Sequence, residues 1–260
     1  PTKNDYPVAL HDALHYSVRG GKRIRPILAL AACEAVGGKA KDALVAACGI
    51  ELIHAFSLVH DDLPCIDNDE MRRGEPTVHK IFGESIALLA GDALLTLGFE
   101  FLSRDGASSR KMQVIRELSR ALGTYGMIGG QVVDLELRGK EPDLPSLEYV
   151  HTHKTGALIA ASLKVGGILG GGSPKEAREL FKFGEYIGFT FQIVDDIMDG
   201  EGYSLLFEPK GAKKEAERLT PVSDEAEKKL SEDDLKKIAE DLPVVRIVDT
   251  LIKHAVLQGA

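Results

Sequence analysis

The sequence predicts an all-α protein, and three observations carry that expectation. Apolar residues recur at three- and four-residue spacing along most of the chain up to Asp199, the period of a helix with one buried face. Gly-Gly pairs and prolines punctuate the pattern where helices would stop and start. Strand-type alternation is absent, Trp does not occur, and aromatics make up only 6% of the residues, which disfavours a β-sandwich.

The helical stretches are read in order. "VALHDALHYSV" (8–18), "IRPILALAACEAV" (24–36) and "KDALVAACGIELIHAFSLV" (41–59) each carry an apolar face. Similar stretches follow around 84–104, 109–138, 145–169 and 174–199. The expected separators are the Gly-Gly pairs at 20–21, 37–38, 129–130 and 166–167, with Pro142, Pro145 and Pro174 near helix starts. The 260 residues, 44% of them hydrophobic, suit a single domain over residues 1–260 with one substantial core. From about Glu208 to Asp241 the chain turns strongly charged, with acid–base pairs at i,i+4 that suit exposed helices. "PVVRIVDTLIKHAV" then reads as a last core-packed helix.

Composition excludes several classes. A formal net charge of −8 makes nucleic acid a poor partner, although local basic islands can hold a small anion. Cys33, Cys48 and Cys65 form no CxxC pair and are odd in number, which suits a reducing, cytoplasmic setting. The chain starts at Pro1 and shows no signal peptide. The apolar "GALIAASLKVGGILGGG" is interrupted by Lys164 and glycines, so no membrane span is expected.

Chemistry concentrates in two acidic clusters, each at the end of an apolar run. "HDDLPCIDND" (60–69) follows "IELIHAFSLV", and "DDIMD" (195–199) follows "YIGFTFQIV". At 100° per residue, Asp195, Asp196 and Asp199 can line one stripe. Asp61 and Asp67 would sit about 120° apart on a regular helix. Without "PC", however, "DDLPCID" becomes "DDLID", the same spacing as "DDIMD". Pro64 disrupts the helical ladder, and a two-residue bulge there would return Asp67 to the stripe with Asp61 and Asp62. Clustered carboxylates need a positive partner. Oxygen-only ligands favour Mg²⁺ over zinc, and Mg²⁺ shares its shell with phosphates, so the clusters ask for a diphosphate. A calcium loop is the rival, but the central glycine and terminal glutamate of an EF-hand are missing.

Short basic islands accompany the acids. "GGKRIRP" (20–26) supplies Lys22, Arg23 and Arg25, "MRRG" (71–74) supplies Arg72 and Arg73, and "HKTG" (153–156) supplies Lys154 and Thr155. All are candidate anion clamps. His54 lies seven residues before Asp61, two helical turns along the same face, while His60 is ambiguous and Phe191 and Met127 read as core.

Together with "HAFSLVHDDLPCIDNDEMRRGEPTVHKIFGE", "LAGDALL", "GGQVVDL" and "FQIVDDIMD", these motifs closely resemble the trans-isoprenyl diphosphate synthases over residues 8–200, most of all the bacterial farnesyl and geranylgeranyl diphosphate synthases. The resemblance implies an isoprenoid synthase fold, helices around a deep central cavity. It implies head-to-tail condensation of isopentenyl diphosphate with an allylic diphosphate (dimethylallyl or geranyl), and a homodimer. It further implies that Asp61, Asp62, Asp67, Asp195, Asp196 and Asp199 supply the sites for three Mg²⁺ ions gripping the allylic diphosphate, beside Arg72. Lys22, Arg25, His54 and Arg73 match the isopentenyl diphosphate clamp. Lys154, Thr155 and Gln192 match the catalytic group beside the breaking carbon–oxygen bond.

Phe56, five residues before Asp61, lies about 7.5 Å down the helix, where its ring would form a floor beneath the growing tail. Within the family this pattern resembles farnesyl synthases, so a fifteen-carbon product is expected; "LPC" is similar instead to geranylgeranyl synthases. After Asp199 the chain departs from the family, with "GEGYSLLFEPKGAKK" in place of the anticipated Gly-Lys loop and Lys-Thr-Tyr-Pro helix start. A non-catalytic partner subunit is the alternative of another class, though such a subunit would be expected to lose aspartates. A terpene cyclase would not need a second diphosphate clamp.

Overall fold

The structure is a computed structural model that describes residues 6–104, 108–140 and 143–199. The expected tail helices and the stretch "GEGYSLLFEPKGAKK" lie outside the described residues, as do the side chains of Asp195 and Asp199. The described residues are mostly helical, and they fall into two compact units, 6–27 with 44–104 and 108, and 28–43 with 109–140 and 143–199.

In the first unit, α1 (Val8–Ser17) packs on α4 (Val78–Phe82) and α5 (Glu84–Ser103). The helix α3 (Ala40–Asp61) supplies the core there, with Ile50, Leu52 and Ile53 fully buried. Burying each such side chain contributes about 1.5–3 kcal/mol. Gly49 of α3 meets Gly98 of α5 backbone to backbone, an approach that a Cβ on either would block. By length and composition α3 and α5 could each cross a membrane. Two-thirds of the apolar stretch of α3 is buried inside the protein, the condition of a core helix.

Two features of this unit correct the sequence reading. A two-stranded hairpin, β1 (Met71–Arg72) with β2 (Glu75–Pro76), interrupts the helices. Its loop residues Arg73 and Gly74 both take positive φ, 55° and 79°, the type I′ turn that suits strand twist. Arg23, grouped above with the anion clamps, is instead buried. Its guanidinium lies 2.5 Å from the Glu51 carboxylate and also donates to the Val18 carbonyl. Removing one partner of such a pair strands a buried charge and costs about 3–5 kcal/mol.

The second unit is organised by α9 (Ala157–Leu169), nearly every residue of which is buried. It packs against α6 (Ser109–Leu122) and α10 (Pro174–Asp199). Ser173 and Glu176 form a reciprocal capping box that starts α10, and Asp143 accepts from the Ser146 amide to start α8 (Leu144–Val150). The stretch 109–138 is broken at Gly123–Gly126 into α6 and α7 (Met127–Leu137). The stretch 145–169 holds a π-helical turn, His151–Gly156, between α8 and α9. The pairs Gly129–Gly130 and Gly166–Gly167 are inside helices rather than between them. Their role is close approach: a Cβ on Gly130 would strike the Lys154 backbone, and one on Gly166 the Ala29 carbonyl of α2 (Ile24–Ala35). Met127 is core as expected, but Phe191 is 40% exposed.

Candidate active site

The first acidic cluster is shaped by the end of α3. Pro64 offers no N–H and disfavours helix at Leu63, so the helix stops at Asp61 rather than bulging and continuing. The chain turns back instead. The Asp67 amide donates to the Asp61 carbonyl at 2.8 Å, and the Asn68 amide donates to that of Leu63, with Asn68 at φ 55°. Asp67 thus returns to the helix end, as expected, but through a terminal turn. Asp61 and Asp67 are both half-buried.

Asp62 goes elsewhere. It is buried, and Arg72 reaches it with Nε at 2.5 Å while its Nη2 holds Asp69 at 2.9 Å. Burial pushes the Asp62 carboxyl up, and the Arg72 hydrogen bond pulls it back down. The neighbouring Arg73 points the other way and donates to the carbonyls of Arg19 and Gly20 at 3.3 and 3.2 Å. Its guanidinium lies over Gly21, where a Cβ would come within 2.6 Å of Cζ. The Gly-Gly break therefore makes room for an arginine 52 positions further on. Between these groups is a cleft of about 280 Å³, lined by Tyr16, Arg19, Gly20, Asp62, Arg72 and Arg73.

Arg25 and His54 meet, with Nη1 and Nε2 at 3.3 Å. Guanidinium only donates, so the His54 Nε2 accepts and its proton sits on Nδ1. Burial, then the charges of Arg25 and Arg73, hold the His54 pKa well below its ordinary value. Burial also draws Arg25 down to about 10. Lys22 is exposed. Phe56 is buried with its ring edge-on to His60 at 5.1 Å, and it does not line the cleft. His60 contacts the Leu88 carbonyl at 3.0 Å, which places a proton on Nε2.

In the second unit the π-turn and α10 run antiparallel. Gly184 sits against Ala160 and Gly188 against Gly156, so close that a Cβ on either would fall within 2.6 Å of the facing backbone. One turn further, Thr155 Oγ1 donates to Gln192 Oε1 at 3.0 Å. One turn further again, His151 Nε2 lies 3.3 Å from Asp196 Oδ2. Lys154 is held by Asp134 at 2.7 Å. Thr155 and Gln192 are thus joined directly, with Lys154 next to Thr155 in the π-turn. Asp196 is turned to His151. Positions 195 and 199 lie 40° apart on the helix, both to one side of 196.

Asp69, Asp134 and His151 were missed by the sequence reading. Asp134 stands within "GGQVVDL", and the four-residue spacing of Gly184, Gly188, Gln192 and Asp196 was a readable signal of one contact face. Among the described residues no three His, Cys, Asp or Glu side chains cluster closely enough to hold a metal ion by themselves. Mg²⁺ does not need such a cage, since it is bound through one or two carboxylates with water and substrate phosphate. The oxygen-only pair Asp61 and Asp67 fits that requirement.

Comparison with known proteins gives a consistent result. A family model described as polyprenyl synthetase matches residues 7–207. The chain is 51% identical over 198 residues to geranylgeranyl pyrophosphate synthase 4 of Arabidopsis thaliana, covering 74% of this chain and 53% of the relative. It is 50% identical over 202 residues to the chloroplastic heterodimeric geranylgeranyl pyrophosphate synthase large subunit 1 of the same plant, covering 74% and 54%. The chain therefore spans about half the length of the curated relatives it matches. Among solved structures, the apo FPP/GFPP synthase of Zymomonas mobilis superposes with a TM-score of 0.80 at 33% identity, covering 98% of this chain and 91% of that one.

Proposed function

The chain belongs to the polyprenyl synthetase family, and from that premise we propose that it condenses isopentenyl diphosphate with an allylic diphosphate, dimethylallyl or geranyl, in a Mg²⁺-dependent reaction. The observation that carries this reading is the meeting of Thr155 and Gln192 across 37 positions, beside Lys154. Asp61 and Asp67 would hold Mg²⁺. When bound, the metal acts as a Lewis acid for the departing diphosphate.

The protein groups have distinct tasks in this reading. Arg72, braced by Asp62 and Asp69, presents a fixed guanidinium to the allylic diphosphate. Arg25, Arg73 and Lys22 receive the isopentenyl diphosphate, and a neutral His54 accepts from Arg25 and so orients its guanidinium. Thr155 donates a hydrogen bond to Gln192, which leaves the hydroxyl's lone pairs available to a developing cation. Lys154 stays pinned by Asp134. The released diphosphate takes the proton lost from the isopentenyl carbon.

A fifteen-carbon product rests on Phe56, bulky and buried on α3 below the aspartates. A twenty-carbon product is the second reading, favoured by relatives near 50% identity that are named geranylgeranyl pyrophosphate synthases. A cytoplasmic setting belongs to the proposal, supported by three free cysteines, Cys33 and Cys48 buried and Cys65 exposed. The test is a product assay with Mg²⁺, isopentenyl diphosphate and either allylic primer, read by mass spectrometry. A fifteen-carbon product supports Phe56 as the floor, and a twenty-carbon product overturns that floor while keeping the chemistry. No condensation would overturn the synthase reading in favour of a non-catalytic partner subunit.

A further inference from the structure

We infer that His151 is a positioning residue that fixes the acidic end of α10 through Asp196. The inference rests on the synthase reading of that acidic end. Four residues of α10 at i,i+4 spacing, Gly184, Gly188, Gln192 and Asp196, face Ala160, Gly156, Thr155 and His151 in antiparallel register. The two glycines allow the helices to approach, Gln192 fixes their rotation, and the His151–Asp196 contact is the last point of the row. Beyond it, α10 has no more than three residues before its end at Asp199.

The His151 side chain is 5% exposed and that of Asp196 is 15% exposed, so the contact is shielded from water. An Asp carboxylate only accepts, so whichever charge the ring carries, its Nε2 faces an acceptor. A buried imidazole set against a carboxylate has the form of an outer-shell support for neighbouring ligands. Asp196 is thereby turned to the π-turn that carries Lys154 and Thr155. At the first cluster, likewise, Asp62 is turned to Arg72 while Asp61 and Asp67 remain at the helix end. In both clusters the second aspartate of the Asp-Asp pair is an internal anchor.

The test uses the full chain and thermal unfolding with inorganic pyrophosphate at increasing Mg²⁺. Three proteins are compared: the wild type, His151→Gln, which keeps a donor near the Nε2 position, and His151→Leu, which keeps the bulk without a donor. Without ligand His151→Leu is expected to unfold at a lower temperature, because a shielded carboxylate loses its partner, so each Mg²⁺ titration is read against that protein's own ligand-free midpoint. His151→Leu should need about tenfold more Mg²⁺ for half of the wild-type stabilisation, the size typical of a lost outer-shell partner. His151→Gln should recover most of it. Turnover should follow the same order, with KM for isopentenyl diphosphate unchanged. Equal Mg²⁺ midpoints for the wild type and His151→Leu would overturn the inference and leave the synthase reading standing. No stabilisation of the wild type would overturn both. Should His151→Leu fail to fold, His151→Ala and Asp196→Asn singly and together decide: non-additive losses support a shared role, and additive losses overturn it.

Discussion

Adjacent arginines show how a side chain's task depends on a single backbone angle. Arg72 ends a strand and holds Asp62 and Asp69, whereas Arg73 enters a left-handed turn and covers Gly21. His54 shows the same dependence in its charge. Its pKa is depressed by burial and by Arg25, so the unfolded chain binds a proton near pH 6.5 while the folded one does not. Stability is then full above about pH 6.5 and falls as the pH drops from there toward the lower folded value. Urea midpoints between pH 7 and pH 5 should fall for the wild type and fall less for His54→Gln. Equal slopes would show that His54 titrates as if exposed. Residue types at the candidate site were legible because metal, diphosphate and cation chemistry need carboxylates, guanidinium and hydroxyl. Which aspartate of a pair serves which partner was not legible, because helix rotation and a turn decide it. Arg23 was misread for a similar reason, since its burial depends on Glu51, 28 positions away.

At the scale of elements, helix periodicity located the long helices among the described residues, and the breaks were read less well. Gly-Gly pairs serve both as stops, at 20–21 and 37–38, and as contact surfaces inside α7 and α9. Only the neighbouring helix separates the two uses. The π-turn has no local signature, because it exists where α10 approaches. Gly188→Ala tests that approach, since its methyl would come within 2.6 Å of the Gly156 Cα and neither backbone can yield cheaply. The expected cost is about 1–3 kcal/mol. At roughly 2–4 °C per kcal/mol for a chain of this size, the melting temperature should drop by several degrees. Turnover should fall further than stability does, because Thr155 and Gln192 would be drawn apart. An unchanged melting temperature and rate would show that the helices have slack there.

For the whole molecule, we place a homodimer within the proposed function, as the family resemblance implies. Light scattering on the purified chain should return about twice the 28.1 kDa of one copy, whereas a monomer that becomes active only with another synthase present would point to a hetero-assembly, as the name of one relative describes. The described chain does not fill its two units one after the other. Residues 6–27 belong to the first, 28–43 to the second, 44–104 to the first again, and 109–199 to the second. The hand-overs fall within α2 and α3. A chimera with a related synthase made by one crossover near residue 108 would therefore join the 109–199 segment of one parent to the 28–43 segment of the other. Among the described residues, recombination that keeps each unit of single parentage must cross over three times, inside α2, inside α3 and again near 108.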